Sequence, residues 1–165
     1  KVYSNFSEQK FGEFKKDVKT ETKKFQTEFN TKEKKDFLKG AEIAYETIIN
    51  SFAKGDQKTL KDLLTSEMRN NFKSAIEERK SKNIKSELTF IGVKSSVIEK
   101  FDKTAEALFF TVKFVSEIIS VKKDKDNKII DGDPNKITTV IDRWKFTRKI
   151  SSSNPNWYLA EIKTN

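Results

Sequence analysis

The spacing of apolar positions along the chain changes near Asn83. Before this residue, apolar side chains recur every three or four positions, as on one face of a helix. After it they alternate with polar side chains, as in half-buried strands. This order predicts an α+β domain in which N-terminal helices pack on one face of a curved antiparallel sheet.

The helical part of the sequence is divided into three predicted helices by residues that typically begin or end a helix. A wide apolar face predicts a helix over 31–53. Gly55 and Asp56 follow it, because Gly favours the left-handed turn that ends a helix and Asp caps the next one. A short helix with a leucine cluster comes next, and Thr65 or Ser66 caps the last helix.

The second half predicts a meander of antiparallel strands joined by polar loops. In the first strand the alternation slips by one residue at Ile91-Gly92, which indicates a β-bulge. Residues 123–136 are predicted to be a polar loop that turns at Asp131-Gly-Asp-Pro134. The predicted strands cover 84–101, 104–122, 137–150 and 157–163.

Residues 1–31 form a separate, mostly polar extension of the domain at 32–165. Its aromatic and apolar positions fall on one narrow stripe of a helix, with lysines beside and behind them, a pattern typical of an interfacial membrane helix. The alternatives are a helix docked on its own domain and a seam with a second copy, which would make a homodimer. The predicted membrane-binding residues are Phe11, Phe14, Val18, Phe25, Phe29, Lys15, Lys16, Lys19, Lys23 and Lys24.

The amino-acid composition restricts the kinds of catalytic, metal and binding site that the chain can form. The chain has no Cys and no His, so thiolate catalysis, Cys-ligated zinc and a histidine base are excluded. The net charge of +9 comes mainly from Lys, which favours attraction to anionic lipid surfaces over specific base recognition. An acidic stretch that begins at Asp124 lacks the Gly and the final Glu of a calcium loop, so we expect neither a metal nor a cofactor.

Two further candidates are weaker. Asp142 lies among apolar neighbours, where it could be a base of raised pKa or an acid paired with Arg148 or a backbone amide. Six aromatic residues of the sheet could stack on single-stranded nucleic acid, although rings at strand spacing are more often core and the chain is poor in Arg. They are Phe109, Phe110, Phe114, Trp144, Phe146 and Trp157.

Two stretches resemble a known family. One is Lys39-Gly-Ala-Glu-Ile-Ala-Tyr-Glu-Thr-Ile-Ile-Asn-Ser-Phe-Ala-Lys-Gly-Asp56 with Leu60-Lys-Asp-Leu-Leu64. The other combines Val140-Ile-Asp-Arg-Trp-Lys-Phe-Thr-Arg148 with Asn154-Pro-Asn-Trp-Tyr-Leu-Ala160. Both are similar to the bacterial and mitochondrial relatives of subunit 44 of the translocase of the inner membrane, a peripheral subunit that couples the import channel to a heat-shock chaperone.

The resemblance implies a cone-shaped fold like that of nuclear transport factor 2, with an apolar pocket between helices and sheet. It also implies contact with cardiolipin-rich membrane and, in bacterial members, an N-terminal anchor, which here would precede Lys1. The residues expected to face this pocket are Ile48, Phe52, Phe72, Ile76, Leu108, Phe110, Phe114, Val140, Asp142 and Trp144.

The resulting expectation is a non-enzymatic scaffold on the cytoplasmic or matrix face of an inner membrane. Its partners would be anionic lipids and proteins of translocation or membrane insertion, without specific nucleic acid. The alternative is an apolar-pocket binder of a lipid or small ligand, or an isomerase-like enzyme, because one fold hosts both.

Overall fold

The computed structural model describes residues 29–163 and places the helices before the sheet, as predicted. Asn83, in a left-handed turn with φ 54°, joins the two parts, so the change of period marks the change of structure. The helices are α1 (Thr31–Lys54), α2 (Gln57–Lys61) and α3 (Ser66–Ser81). The strands are β1 (Lys85–Lys103), β2 (Ala107–Lys123), β3 (Ile129–Gly132), β4 (Thr138–Lys149) and β5 (Tyr158–Lys163).

The predicted helix ends are confirmed by their caps. Gly55 adopts φ 73° and closes α1 by donating its N–H to the Phe52 carbonyl. The Asp56 carboxylate accepts a hydrogen bond from the Thr59 N–H at 3.1 Å and begins α2. Thr65, rather than Ser66, caps α3. Each cap satisfies a backbone group that has no partner inside the helix.

The strands form one antiparallel sheet in the order β1-β2-β4-β5, and β3 pairs with the end of β2. The predicted bulge is confirmed, because the register of β1 shifts between Phe90 and Gly92. Two further shifts follow in the same strand. Extra residues on one strand increase its local bend, so these shifts curve the edge of the sheet.

Two local predictions were wrong. The stretch 123–136 is not only a loop, because it contains β3, whose Gly132 pairs with Val121. The leucines after α2 also leave the helix. Leu63 accepts a hydrogen bond from the Leu159 N–H at 2.9 Å, and Leu64 bridges Leu159 in parallel. Pairing with the end of β2 decides the first segment, and pairing with Leu159 of β5 decides the second.

The core lies between the helices and the inner face of β2 and β4. The Tyr45 ring of α1 stacks on Phe114 of β2 with centroids 4.2 Å apart, and it tilts against Trp144 of β4 at 4.6 Å. Phe72 of α3 packs edge-on against Phe52 at 5.1 Å. These contacts hold α1 across the middle of the sheet. Among the described residues, one open space lies beside α3 and another beside α1.

Candidate binding cleft, lateral groove and buried carboxyl

The first space is a cleft of about 780 Å³ between α3 and the end of the sheet, called here the α3 cleft. One side of the cleft is formed by Phe52, near the end of α1. The other side is formed by Ser86 and Leu88 of β1 and Ile162 of β5. Apolar ligands bind in clefts of this size. The further lining residues are Ala53, Glu67, Met68, Asn71, Phe72, Ser74, Ala75, Glu78, Arg79, Lys82, Ile84, Lys122, Ile130, Asp131, Ala160 and Glu161.

Arg79 secures one end of the α3 cleft. Its guanidinium donates to the Phe52 carbonyl at 2.8 Å and the Ala53 carbonyl at 3.2 Å, and it lies 5.1 Å from the centre of the Phe52 ring. Partial burial lowers the pKa of Arg79. These bonds satisfy carbonyls at the end of α1, so Arg79 links the end of α1 to α3.

The charges around the α3 cleft are mixed. Lys122 lies opposite Ser86 on one side and Asp131 on the other in the paired strands. Lys82 forms an ion pair of 2.8 Å with Glu78. Because acidic and basic side chains both line the cleft, its electrostatics do not favour a multiply charged anion, and its apolar surface favours an apolar chain.

The second space is a groove of about 670 Å³ along one flank of α1, called here the α1 groove. Gly40, Ile43 and Thr47 of α1 form one side, and Trp157 forms part of the opposite side. Ile43 is 62% exposed, the highest value among the large apolar side chains in the described part of the chain. Also lining it are Phe29, Glu33, Asp36, Phe37, Ala41, Ala44, Asp62, Leu63, Phe110, Phe146, Arg148, Pro155 and Asn156.

Asp142 is fully buried in the core. Its Oδ2 accepts a hydrogen bond of 2.5 Å from the Tyr45 hydroxyl, which also lies 2.9 Å from Ser116 Oγ. Burial raises the pKa of Asp142 to about 7, against the opposing effect of the Tyr45 hydrogen bond. Within residues 29–163, its Oδ1 has no hydrogen-bond partner.

The partner of Asp142 is therefore Tyr45 and not Arg148. The Arg148 guanidinium instead lies 5.3 Å from the centre of the Trp157 ring. Asp142 is absent from the lining of both the cleft and the groove. A carboxyl with a pKa near 7 could transfer protons, but this one is buried and lines neither the cleft nor the groove.

The residues expected to face one pocket are divided in the structure between the α3 cleft, the α1 groove and the packed interior. Phe52 and Phe72 line the α3 cleft, and Phe110 lines the α1 groove. The others are at most 6% exposed and fill the interior, because their aromatic and branched side chains pack on each other. These interior residues are Ile48, Ile76, Leu108, Phe114, Val140, Asp142 and Trp144.

Most of the expected membrane-binding residues precede the described part of the chain. These are Phe11, Phe14, Val18, Phe25 and the five lysines from Lys15 to Lys24. Phe29 is described, and its ring packs edge-on against Phe101 at 5.5 Å and Phe110 at 4.9 Å. For this one residue, the structure shows contact with the chain's own domain.

Four of the six aromatic residues considered for base stacking are buried in the core. Phe110, Phe114, Trp144 and Phe146 are each at most 1% exposed, so their faces contact the core. Phe109 lies on the outer face, with Lys145 Nζ 4.9 Å from its ring centre. Stacking on bases requires accessible rings, which these four buried side chains do not provide.

Sequence reasoning did not identify most of the lining of the α3 cleft. The inward position of Lys122 could have been predicted, because this residue continues the alternation of Phe114 and Ile118 along β2. Met68 and Ala75 share the apolar face of α3 with Phe72. Ile130 and Ile162 gave no signal, because their positions depend on how β3 and β5 meet the rest of the sheet.

Residues 29–163 contain no helix long and apolar enough to cross a bilayer. In the loop that begins at Asp124, the Asp124 carboxylate accepts hydrogen bonds from the N–H groups of Asp126 and Lys128, at 2.9 and 3.0 Å. The side chain therefore stabilises a turn, as an Asx turn does.

Two of the solved structures that this chain resembles are remote from it in sequence. The crystal structure of the intermembrane space region of chloroplast protein ARC6 is 14% identical, covers 77% of this chain and 95% of its own, and has a TM-score of 0.45. The solution NMR structure of a de novo designed β-sheet protein is 12% identical, covers 79% and 88%, and has a TM-score of 0.31.

A comparison with curated protein sequences gives no significant match. The profile of the Tim44-like domain family matches residues 15–164, nearly the whole chain. The observed order of helices and curved antiparallel sheet agrees with the nuclear transport factor 2-like fold that the sequence resemblance implied. The chain belongs to the Tim44-like domain family.

Proposed function

We propose that this chain is a non-enzymatic, membrane-associated scaffold that assists protein translocation or insertion at an inner membrane. The observation that carries the proposal is the Tim44-like match over residues 15–164. Its partners would be anionic lipids together with a translocation channel or chaperone, on the cytoplasmic or matrix face. The sealed position of Asp142 supports a binding role over proton-transfer chemistry.

The distribution of charge supports contact with lipid at one end of the domain. Lys32, Lys34 and Lys35 lie in the first turns of α1, next to the point where residues 1–28 join. Lys103 and Lys149 lie opposite Leu108 and Ala107 in the register of β2, at the end of the sheet where Phe29 contacts Phe101. A lysine near an anionic bilayer contributes about 1 kcal/mol, so these five lysines favour contact of this end with the membrane.

The extension (residues 1–31) adds an apolar contribution to the free energy of membrane binding at the same end of the domain. Insertion of a Phe side chain is worth roughly 1.5–3 kcal/mol, from which the ordering of the helix must be subtracted. The proposed inserting residues are Phe11, Phe14 and Phe25, with the lysines from Lys15 to Lys24 at the headgroups. Membrane binding should therefore depend on the phenylalanines of the apolar stripe, which insert. It should also depend on the salt concentration, which screens the attraction of the lysines to the headgroups.

Vesicle flotation tests this proposal with the full chain. We expect it to float with vesicles containing cardiolipin or phosphatidylglycerol at low salt, and less at high salt. The double variant Phe14→Ser, Phe25→Ser should lose binding, while the control Thr20→Ser, Thr22→Ser, on polar positions of the same segment, should keep it. A wild-type chain that stays at the bottom of the gradient at low salt would refute membrane association.

A second candidate function rests on the α3 cleft itself. Its volume of about 780 Å³ and its apolar surface fit an acyl chain. Native mass spectrometry of the purified chain would show a co-purified lipid. Ala75→Trp should fill the cleft and displace it, whereas Glu77→Trp, on the exposed face of the same helix, should not. Equal lipid occupancy in both variants would exclude the cleft as the site.

A further inference from the structure

The α1 groove is an open apolar surface next to the point where residues 1–28 join the domain. Phe29, the last member of the aromatic stripe, already lines this groove and packs on Phe110 at 4.9 Å. The opposite flank of α1 is occupied, since Glu42 accepts a hydrogen bond from the Ser96 hydroxyl of β1. One side of α1 is thus covered by the sheet and the other is open.

The open flank of α1 has the shape that a second helix requires. A Cβ atom added to Gly40 would meet nothing within 4 Å, so the space beside this glycine of the groove is open. Ile43 beside it is exposed to 62%. Apolar side chains of another helix could pack into this depression with close approach of the two backbones.

The charges of the groove complement those of the extension. Glu33 and Asp36 on α1 and Asp62 after α2 line the groove, and Arg148 is its one basic lining residue within 29–163. The extension carries lysines at 15, 16, 19, 23 and 24 beside its stripe. Opposite charges along two adjacent helices stabilise their pairing and select its register.

We propose that the α1 groove binds the extension of the same chain, as a helix that lies antiparallel to α1. Asn30 has an extended backbone and caps α1, which allows a tight turn between two helices. Because both helices rise about 1.5 Å per residue, positions equally distant from Asn30 lie side by side. This register places Val18 level with Ile43, and Lys24 beside Asp36.

Docking and membrane insertion use the same apolar stripe, so each excludes the other. This consequence rests on the proposed membrane function, whereas docking itself does not. In the docked state, Phe14 and Phe25 face the groove and are withheld from lipid. An anionic bilayer competes for both the phenylalanines and the lysines, so it should displace the extension from the groove.

Disulfide trapping tests the docking, because the chain has no cysteine of its own. In the full chain, Val18→Cys with Ile43→Cys should cross-link within one molecule on mild oxidation. The control pairs Val18→Cys with Ile129→Cys, an exposed residue of β3 at the other end of the sheet. A helix held in the groove should raise the yield about tenfold over this control, because it raises the local concentration of the thiols.

The alternatives give different products. Equal yields for the two pairs would overturn docking, and a cross-link that appears only between two chains would assign the stripe to a second copy. Asp36→Lys should reduce the intramolecular yield severalfold through charge repulsion, and an unchanged yield would contradict the proposed register. Anionic vesicles that bind the chain should also reduce it. If vesicles do not bind at all, the membrane function fails while docking stands.

Discussion

The Tyr45 hydroxyl donates a hydrogen bond of 2.5 Å to Asp142 Oδ2, and both side chains are 0% exposed. This bond joins α1 to β4. Ser116 of β2 lies 2.9 Å from the same hydroxyl, so one phenol connects the helix to two neighbouring strands. Buried polar groups that are paired in this way specify one arrangement of the core, because a shifted helix would leave them without partners.

Asp142 should make stability depend on pH. Its pKa is about 7 in the folded chain, compared with 3.8 when exposed. Between these values the folded state binds a proton that the unfolded state lacks, so stability falls as pH rises from about 4 to about 7 and then levels off. The slope is at most about 1.4 kcal/mol per pH unit.

Urea unfolding at several pH values measures this slope. Asp142→Asn keeps the acceptor for Tyr45 and should remove the contribution, so the variant gains stability relative to wild type as pH rises to 7. The control Asp126→Asn, in an exposed turn, should follow the wild-type curve. Parallel curves for wild type and Asp142→Asn would show that the carboxyl is ionised in the core.

Tyr45→Phe should destabilise the chain by about 1–3 kcal/mol, because the buried carboxyl loses its donor. The Tyr45 hydrogen bond lowers the pKa of Asp142, so its removal should raise that pKa and extend the decline in stability above pH 7. Ser116→Ala keeps the Tyr45–Asp142 bond and should cost less. A larger loss from Ser116→Ala would place the critical bond at Ser116.

Phe72→Ala should cost roughly 3–5 kcal/mol of unfolding free energy, as expected for a large side chain removed from a packed core. Phe72 is 1% exposed and contacts Phe52, although it also borders the α3 cleft. Chemical denaturation measures the loss against Ile129→Ala, a 46% exposed position where the change should be within about 0.5 kcal/mol. A loss for Phe72→Ala well below 1 kcal/mol would mean that the ring faces open space.

Two glycines should respond to alanine with opposite signs. Gly132 has φ 87°, and a Cβ there would lie 2.0 Å from the Ser120 carbonyl oxygen, so Gly132→Ala should destabilise by more than about 1 kcal/mol. Gly40 lies inside α1 with nothing within 4 Å of an added Cβ, so Gly40→Ala should stabilise by roughly 0.5–1 kcal/mol. Thermal unfolding compares the two, and a tolerated Gly132→Ala would show that β3 is loosely held.

Local sequence signals predicted the order and the ends of most elements. The change in apolar spacing at Asn83 separated helices from strands, and Gly55, Asp56 and Thr65 marked helix boundaries. These signals act through side chains and backbone groups within about four residues of each other, so the sequence reveals them without tertiary contacts. The bulge at Ile91-Gly92 could be predicted for the same reason.

The candidate sites were decided by the tertiary structure. Tyr45 and Asp142 are 97 residues apart in the chain, and the apolar neighbours of Asp142 gave no indication of which side chain would reach it. The expected pocket residues share the inward pattern, but that pattern does not distinguish a packed interior from an open cleft. Periodicity determines which face of each element is buried. The open spaces depend instead on how separate elements meet, such as the contact of Arg79 in α3 with the end of α1 and the pairing of β3 with β2.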